Sequence, residues 1–456
     1  MRKLIQRRAG YNSGYNSGFR AGYNDGYDRG RQVGLSGSSF EGTSIIIPNY
    51  NQLNYLRECI ESIRQYTPEP YELIIIDNGS DDGSSEYINS LSSVRFQLLP
   101  DNRGFAAAVN QGLKLARGTT LLILNNDSVV TTNWLSNLLH CLHSDPHIGI
   151  VGPVTNYISG DQLIDTHYMS MAEMQKFART YNKSEADRWT VTGRLTGFCM
   201  LLRRETFISL GYFDEGFEIG NCEDDDYGLR ARLMGLKLVI AKDTFIHHYG
   251  SISMKSLQGR FDQVYGNNLS FYSNKWSDPH GYLSLEWLEN MEGVQLRSID
   301  FYPTCVIIRG MSSTLYWVEN GMRYLISGDC GIEVCGIEAI HVSQVDLRSW
   351  QLGDEISADQ VVQRIQGMQG LDAQESMDIA QSNYAGSTLA EGMLIKALEG
   401  NIYQFKGGKL HRFINLQAIA TWNLNAYPIV DIDKNRQLYQ EGPPIICAPV
   451  IRASNI

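Results

Sequence analysis

No stretch of about 18 consecutive apolar residues occurs in this 456-residue chain, so no segment is a candidate transmembrane helix. Basic residues are in deficit: 39 Lys and Arg against 50 Asp and Glu give a formal net charge of -11. Without a basic excess the chain is not expected to take a nucleic-acid partner, whose phosphates would require one. The eight cysteines include no CxxC pair and no Cys/His zinc spacing, which argues against a structural zinc site. Reduced, mostly buried thiols in a cytoplasmic protein are the reading they support. The start of the chain, MRKLIQRRAG, is basic but runs into Tyr, Asn and Gly, without the apolar core of a secretory signal.

What is present is a globular composition, 43% hydrophobic and 20% charged, at a length that suggests two or three domains. Residues 1–42 stand apart as a low-complexity repeat and linker. Tyr11, Tyr15, Phe19, Tyr23 and Tyr27 recur every four positions, and Gly14, Gly18, Gly22, Gly26, Gly30 and Gly34 do so on another phase. Each glycine costs about 1 kcal/mol relative to Ala in a helix, so an isolated helix is not expected. Disorder is the first expectation; self-association through the aromatic and glycine faces is the sharper alternative, and it offers one route to a homo-oligomer.

From Thr43 the pattern alternates strand and helix. Three apolar runs end alike: Ile45–Ile47 in Pro48-Asn49-Tyr50-Asn51, Leu73–Ile76 in Asp77-Asn78-Gly79-Ser80, and Leu121–Leu124 in Asn125-Asn126-Asp127. Parallel neighbours would set those polar ends side by side at the carboxyl edge of a sheet, where open α/β sheets bind ligands. Helical stripes follow, at Leu53, Leu56, Ile60 and Ile63, at Ala106, Val109 and Leu113, and at Leu135, Leu138, Leu139 and Leu142. The alternation predicts an α/β domain over 43–280 with a mainly parallel sheet and covering helices.

A second polar cluster begins where the strand Thr196–Leu202 ends in Arg203-Arg204, and it reaches Glu223-Asp224-Asp225-Asp226. Four acids in a row repel unless a cation, a helix N-terminus or an arginine offsets them, which makes them a site candidate beside the simpler reading of helix capping. The helix that follows is expected to bury Leu229 and Leu233 and to carry Arg230 and Arg232 outward. His247-His248 precede a Gly-Ser turn and are either metal ligands or a satisfied pair at a strand end.

Residues 300–456 read as a C-terminal β-rich region with two repeated units, about 300–356 and 390–450. Ile308-Arg309, Leu315-Tyr316 and Gly321 match Ile395-Lys396, Ile402-Tyr403 and Gly408 at an offset of 87. Leu325-Ile326 matches Phe413-Ile414 at 88, and Val345-Asp346 matches Val430-Asp431 at 85. No carboxylate pair or nucleophile constellation recurs in the two units, so both are read as binding or assembly modules and a second route to a homo-oligomer.

Over residues 43–275 the segments SIIIPNYNQLNYLRECIESI, LIIIDNGSDDGS, NRGFAAAVNQGLKLARG, LLILNNDS, TGFCMLLRRE, GYFDEGFE, EDDDYGLRAR and HHYGS resemble, in that order, family 2 glycosyltransferases of GT-A fold, and bacterial rhamnosyltransferase-like members in particular. The resemblance implies a Rossmann-like mixed, mainly parallel sheet. It also implies an inverting, metal-dependent transfer from a nucleotide-sugar donor to a hydroxyl of a glycan, lipid-linked or protein acceptor in bacterial surface-glycan or glycoprotein synthesis. It implies nucleotide-sugar contacts at Pro48, Asn49, Tyr50, Asp77, Asn102, Gly104, Asn110, Asn125, Asn126 and Gly197. A divalent metal, Mg²⁺ or Mn²⁺, would be held by Asp127 and His248. Asp224 would be the general base, Glu223 would orient the acceptor, and Arg203 or Arg204 would help to neutralise the diphosphate. Asn125 departs from the family pattern, which has Asp at the first position of that motif. A nucleotidyltransferase, or a non-catalytic sugar-binding scaffold with a decayed site, are the alternatives.

Overall fold

The computed structural model describes residues 40–250, 258–278, 283, 295–328, 338–369, 389–432 and 439–452. The Tyr/Gly repeat and its expected self-association lie outside these residues, as do Cys330 and Cys335.

The α/β region contains β1 (Phe40–Asn49), α1 (Leu53–Tyr66), β2 (Tyr71–Asn78), α2 (Ser84–Ser90), β3 (Val94–Leu99), α3 (Phe105–Leu115), β4 (Gly118–Leu124) and β5 (Ser128–Val129). It continues with α4 (Trp134–Ser144), β6 (Ile148–Val154), α5 (Met171–Tyr181), β7 (Trp189–Thr192), β8 (Cys199–Arg203), α6 (Arg204–Leu210), α7 (Glu223–Leu233), β9 (Lys237–Phe245), β10 (His247–His248) and α8 (Phe261–Trp276). Eight strands form one sheet in the order β3-β2-β1-β4-β8-β6-β9-β7. β1 runs parallel to β2 and β4, whereas β8 is antiparallel to both β4 and β6. The sheet is therefore mixed and mainly parallel, as a GT-A fold requires.

The isoleucine and leucine runs explain the strand centres. Residues such as Ile45, Ile47, Ile75, Leu122 and Leu124 point to the face packed against Leu56, Ile60 and Ile63 of α1 and Leu135 and Leu138 of α4. Their neighbours Ile46, Ile74, Ile76, Leu121 and Ile123 point to the face packed against Ala108, Val109 and Leu113 of α3. With both faces covered, continuous apolar runs rather than alternating ones are what such strands need. The strand order reverses about β1, which puts the crevice for a ligand at the carboxyl ends of β1 and β4.

The C-terminal region contains β11 (Val306–Arg309), β12 (Leu315–Glu319), β13 (Met322–Ser327), β14 (Ile340–His341), α9 (Gln344–Ser349), β15 (Gln351–Leu352), β16 (Ile356–Ser357) and α10 (Ala358–Gln369). A second set follows: β17 (Leu394–Ala397), β18 (Ile402–Lys406), β19 (Lys409–Arg412), α11 (Leu416–Thr421) and β20 (Ile429–Ile432). The two sets repeat one design, an antiparallel meander whose first strand is joined by a later parallel strand. Ile308 faces Tyr316 and Ile340, and Ile395 faces Tyr403 and Val430. Both hairpins turn on paired left-handed residues, Asn320-Gly321 and Gly407-Gly408, the backbone that a two-residue hairpin demands.

The pairing corrects two of the expected equivalences. Leu325 sits opposite Tyr316 as Arg412 sits opposite Tyr403, so Arg412 and not Phe413 is its counterpart. Val430 and Asp431 lie on the closing strand β20, but Val345 and Asp346 lie on helix α9. A shared dipeptide carries no information about which strand closes the unit.

Candidate active site

A cavity of about 180 Å³ opens at the carboxyl ends of β1, β2 and β4. Pro48, Asn49, Tyr50, Asn102, Asn125, Asn126, Asp127, Gly197, Glu223, Asp224 and His248 all line it, and among the described residues no Lys or Arg does.

Its floor is a chain of amides hung from one carboxylate. Asn126 Nδ2 donates to Asn49 Oδ1 at 2.7 Å, and Asn49 Nδ2 donates to Asp77 Oδ1 at 2.9 Å. Asp77 also accepts from the hydroxyls of Ser80 at 2.5 Å and Ser85 at 2.6 Å. Asp77 thus orients Asn49 from behind and does not line the cavity. Asn110 is likewise placed elsewhere: its Nδ2 donates to Phe213 O and Glu215 Oε1, and its Oδ1 accepts from Phe213 N. It ties α3 to the 213–215 segment rather than facing a ligand. Gly104 caps α3 with φ 88 and gives its carbonyl to Asn78 Nδ2. A Cβ there would come within 3.2 Å of Ile219 N, so the glycine permits close approach to the cavity rim.

Asp127 and His248 meet across the short antiparallel pair β5–β10, where His248 is opposite Ser128. His248 Nδ1 lies 2.8 Å from Tyr157 O, and Nε2 lies 3.1 Å from Asp127 Oδ1. A carbonyl only accepts, so Nδ1 carries a proton, and a ring protonated only there turns its Nε2 lone pair toward a carboxylate oxygen. Two acceptors facing each other call for a cation or a proton between them. Asn156 fixes the backbone of His248 from both sides, and Phe198 stacks on its ring at 5.2 Å. A hard divalent ion fits this carboxylate–imidazole pair. Among the described residues no group of three or more His, Cys, Asp or Glu is arranged to hold a metal, so other ligands would be substrate oxygens and water, as is usual for Mg²⁺ at diphosphates. His247 faces away, with its Nδ1 2.6 Å from Tyr168 OH.

The acidic run divides into paired and unpaired members. Asp225 is paired with Arg194 at 2.5 Å. Asp226 binds Arg230 at 3.0 Å and Lys275 at 2.5 Å; burial alone would raise its carboxyl, but these two cations hold it below the ordinary range. Asp224 faces the cavity, with Oδ2 accepting from Gly197 N at 2.8 Å and Oδ1 from Asp225 N at 2.9 Å. Burial, reinforced by the charge of Asp225, pushes it up to about 6. Glu223 is raised well above the carboxylate range by burial and by Asp224, and its buried Oε2 has no hydrogen-bond partner among the described residues.

Three expectations about arginine are corrected. Arg230 is buried, not outward: it binds Asp226 and donates to Leu210 O and Tyr212 O. Arg203 caps the end of α4 through Leu142 O, Asp145 O and Ile148 O, and Arg204 donates to Gly118 O. Both sit at the far end of the sheet from the cavity, because β8 is antiparallel to β4 and its last residue pairs with Thr120 near the start of β4. The cavity residues that the sequence reading passed over are Asn78, Phe105, Ile158, Ile219, Gly220 and Asn221. Asn78 adjoins Asp77 in the second strand-end motif, which was the available signal.

Residues 44–211 match the family model of Glycosyl transferase family 2. The chain is 26% identical over 245 residues to Glycosyltransferase GlyG of Streptococcus pneumoniae, covering 52% of this chain and 79% of that protein. It is 30% identical over 230 residues to the O-antigen biosynthesis protein RfbC of Myxococcus xanthus, covering 47% of this chain and 18% of RfbC. Among solved structures, the mannosyltransferase PcManGT of Pyrobaculum calidifontis, in complex with GDP-Man and Mn²⁺, is similar at 20% identity and a TM-score of 0.35, over 46% of this chain and 57% of its own. The match to Glycosyl transferase family 2 therefore falls on residues 44–211, the part of the chain that brings the ends of β1, β2 and β4 to the cavity.

Proposed function

We propose that the chain is an inverting, metal-dependent glycosyltransferase that moves a sugar from a nucleotide-sugar donor to an acceptor hydroxyl in surface-glycan synthesis. The observation that carries the reading is the division of the acidic run: Asp225 and Asp226 are paired with cations, whereas Glu223 and Asp224 line the cavity and Asp224 is raised to about 6. A general base is most effective with its pKa near the operating pH.

In the step this supports, an acceptor oxygen forms a bond to the anomeric carbon as its proton passes to Asp224. The bond to the diphosphate oxygen breaks, and its electron pair leaves with the nucleoside diphosphate. Glu223, whose carboxyl burial and Asp224 raise well above the usual carboxylate range, offers its unpartnered Oε2 to a sugar hydroxyl. The amides of Asn49 and Asn126, preset by Asp77, offer fixed dipoles to the donor without charge. Since among the described residues no Lys or Arg lines the cavity, an ion held by Asp127 and His248 would supply the positive charge that offsets the departing diphosphate. The similarity to RfbC supports a surface-glycan setting. Retention of both Asp127 and Asp224 in one cavity disfavours a decayed scaffold.

Thermal unfolding against UDP, GDP, dTDP and CMP, each with Mn²⁺ or EDTA, tests the reading. One nucleoside diphosphate should stabilise the protein by about 2.7 kcal/mol at a hundredfold excess over its Kd, only with Mn²⁺, and Asp127→Asn should abolish the rise. No response to any nucleotide would refute it.

A further inference from the structure

The direction in which Asp224 points depends on the first turn of α7, and that turn is held from outside the sheet. Asp226 is completely buried and receives Arg230 Nε at 3.0 Å, Lys275 Nζ at 2.5 Å and Trp276 Nε1 at 2.9 Å. Lys275 also reaches Asp214 Oδ2 at 2.6 Å. Two turns earlier on α8, Asn268 accepts from Glu218 N and donates to Glu218 O, Gly220 O and Asn221 O. It thereby braces a loop in which Ile219, Asn221 and Cys222 adopt φ of 52°, 85° and 71°, a left-handed run that costs non-glycine residues about 1 kcal/mol or more each. One helix therefore holds both the loop at the cavity rim and the start of the catalytic helix.

Helix α8 is tied down in turn by the C-terminal region. Asn415 Nδ2 donates to Asn274 O and Lys275 O at 3.0 Å each and to Ser277 Oγ at 3.1 Å. Residues 445–452 return to the same place: Val450 N donates to Asp214 Oδ1, Arg452 N donates to Glu215 Oε2, and Glu215 N donates to Val450 O.

We propose that Lys275 is a positioning residue for the catalytic turn 223–226, and that the C-terminal region, by fixing the end of α8, is part of the catalytic unit rather than a separable binding module. The claim rests on Asp224 being the general base. The competing explanation is that Lys275 serves packing alone, in which case an apolar replacement of similar length is tolerated, as buried ion pairs often allow.

The test uses the full chain as Lys275→Met, Lys275→Arg and Asn415→Ser. Asn415 caps α11 through Oδ1, accepting from Ala418 N, and serine keeps a cap while losing the three bonds to α8. Amide hydrogen exchange of residues 223–233 without substrate is read first, then kcat and donor KM. Lys275→Met should speed exchange in that helix and lower kcat about 10-fold or more, with donor KM changed less than about threefold, since misplacement acts on the reacting geometry. Lys275→Arg should recover part of kcat, and Asn415→Ser should move both readouts in the same direction by less. A folded Lys275→Met with wild-type exchange and wild-type kcat overturns the proposal; if that variant does not fold, wild-type exchange and kcat in Asn415→Ser overturn it. Failure of the unsubstituted chain to turn over any donor would instead sink the general-base reading, leaving the exchange data to decide the positioning claim alone.

Discussion

Replacing Asp224 by Asn should make the protein more stable and far less active at the same time. Burial and Asp225 raise the Asp224 carboxyl from its ordinary 3.8 to about 6, which corresponds to about 3 kcal/mol of penalty for keeping it ionised in the folded state. Because the folded pKa lies above the unfolded one, the folded state holds the proton more tightly. Its contribution to stability is fully present below pH 3.8 and is lost as pH rises through about 6. Asparagine removes that loss but sets an amide against Gly197 N–H or leaves it with a weaker acceptor, costing about 1 to 1.5 kcal/mol. The net gain at pH 8 is about 1 to 2 kcal/mol, a rise in Tm of about 2 to 6 °C. Comparing the two proteins by denaturant or thermal unfolding from pH 4 to 8 should show the gain growing between pH 4 and 6 and levelling above 7. Turnover should fall about 10²-fold or more, with stabilisation by nucleotide and Mn²⁺ retained, and the parent's rate should show an acid limb near pH 6. A variant less stable than the parent at pH 8, or one with unchanged turnover, would refute the reasoning.

Two further substitutions probe the cavity from other sides. In Gly197→Ala the added methyl would lie 3.3 Å from Asp224 Cβ and 3.5 Å from its Oδ2, so kcat should drop about 10-fold with under about 1 kcal/mol lost in stability; equal kcat would mean that Asp224 has room to spare. Asn49→Asp would replace the donor that now sits 2.9 Å from Asp77 Oδ1 by a second buried carboxylate, lowering stability by about 3 kcal/mol or more. An unmoved unfolding midpoint at pH 7 would show that the amide chain does not hold the strand ends together.

How much of this was readable beforehand depended on how local each interaction is. Strand centres and their polar ends follow from apolar runs stopping at Asn, Asp and Gly, so the cavity floor could be placed from three segments. Asp127 and His248 are 121 positions apart and yet were both noticed, because each sits at a strand end with a distinctive neighbour. Arg230 misled because helical spacing says only which side of α7 it occupies, not that Asp226, Leu210 O and Tyr212 O wait there. Asn110 was expected at the donor instead, and Lys275 gave no signal at all. Their partners lie 103 and 61 positions away, and a lone Lys on a helix reads as solvated surface until the packing is known. The repeat was visible through its hairpins and lost at its closing strand, since the lengths between β13 and β14 and between β19 and β20 differ.

The bond from Val450 N to Asp214 Oδ1 spans 236 positions of sequence. A ribosome adding about 5 to 20 residues per second must work for on the order of 10 to 50 s after releasing Asp214 before its partner exists. Over that interval the nascent sheet has its strands but the helix bearing Asp224 has lost part of its outer support. A prematurely terminated chain would carry the donor cleft in nearly finished form and the chemistry in unfinished form, so the wiring of the fold makes catalysis wait for synthesis of the C-terminal units.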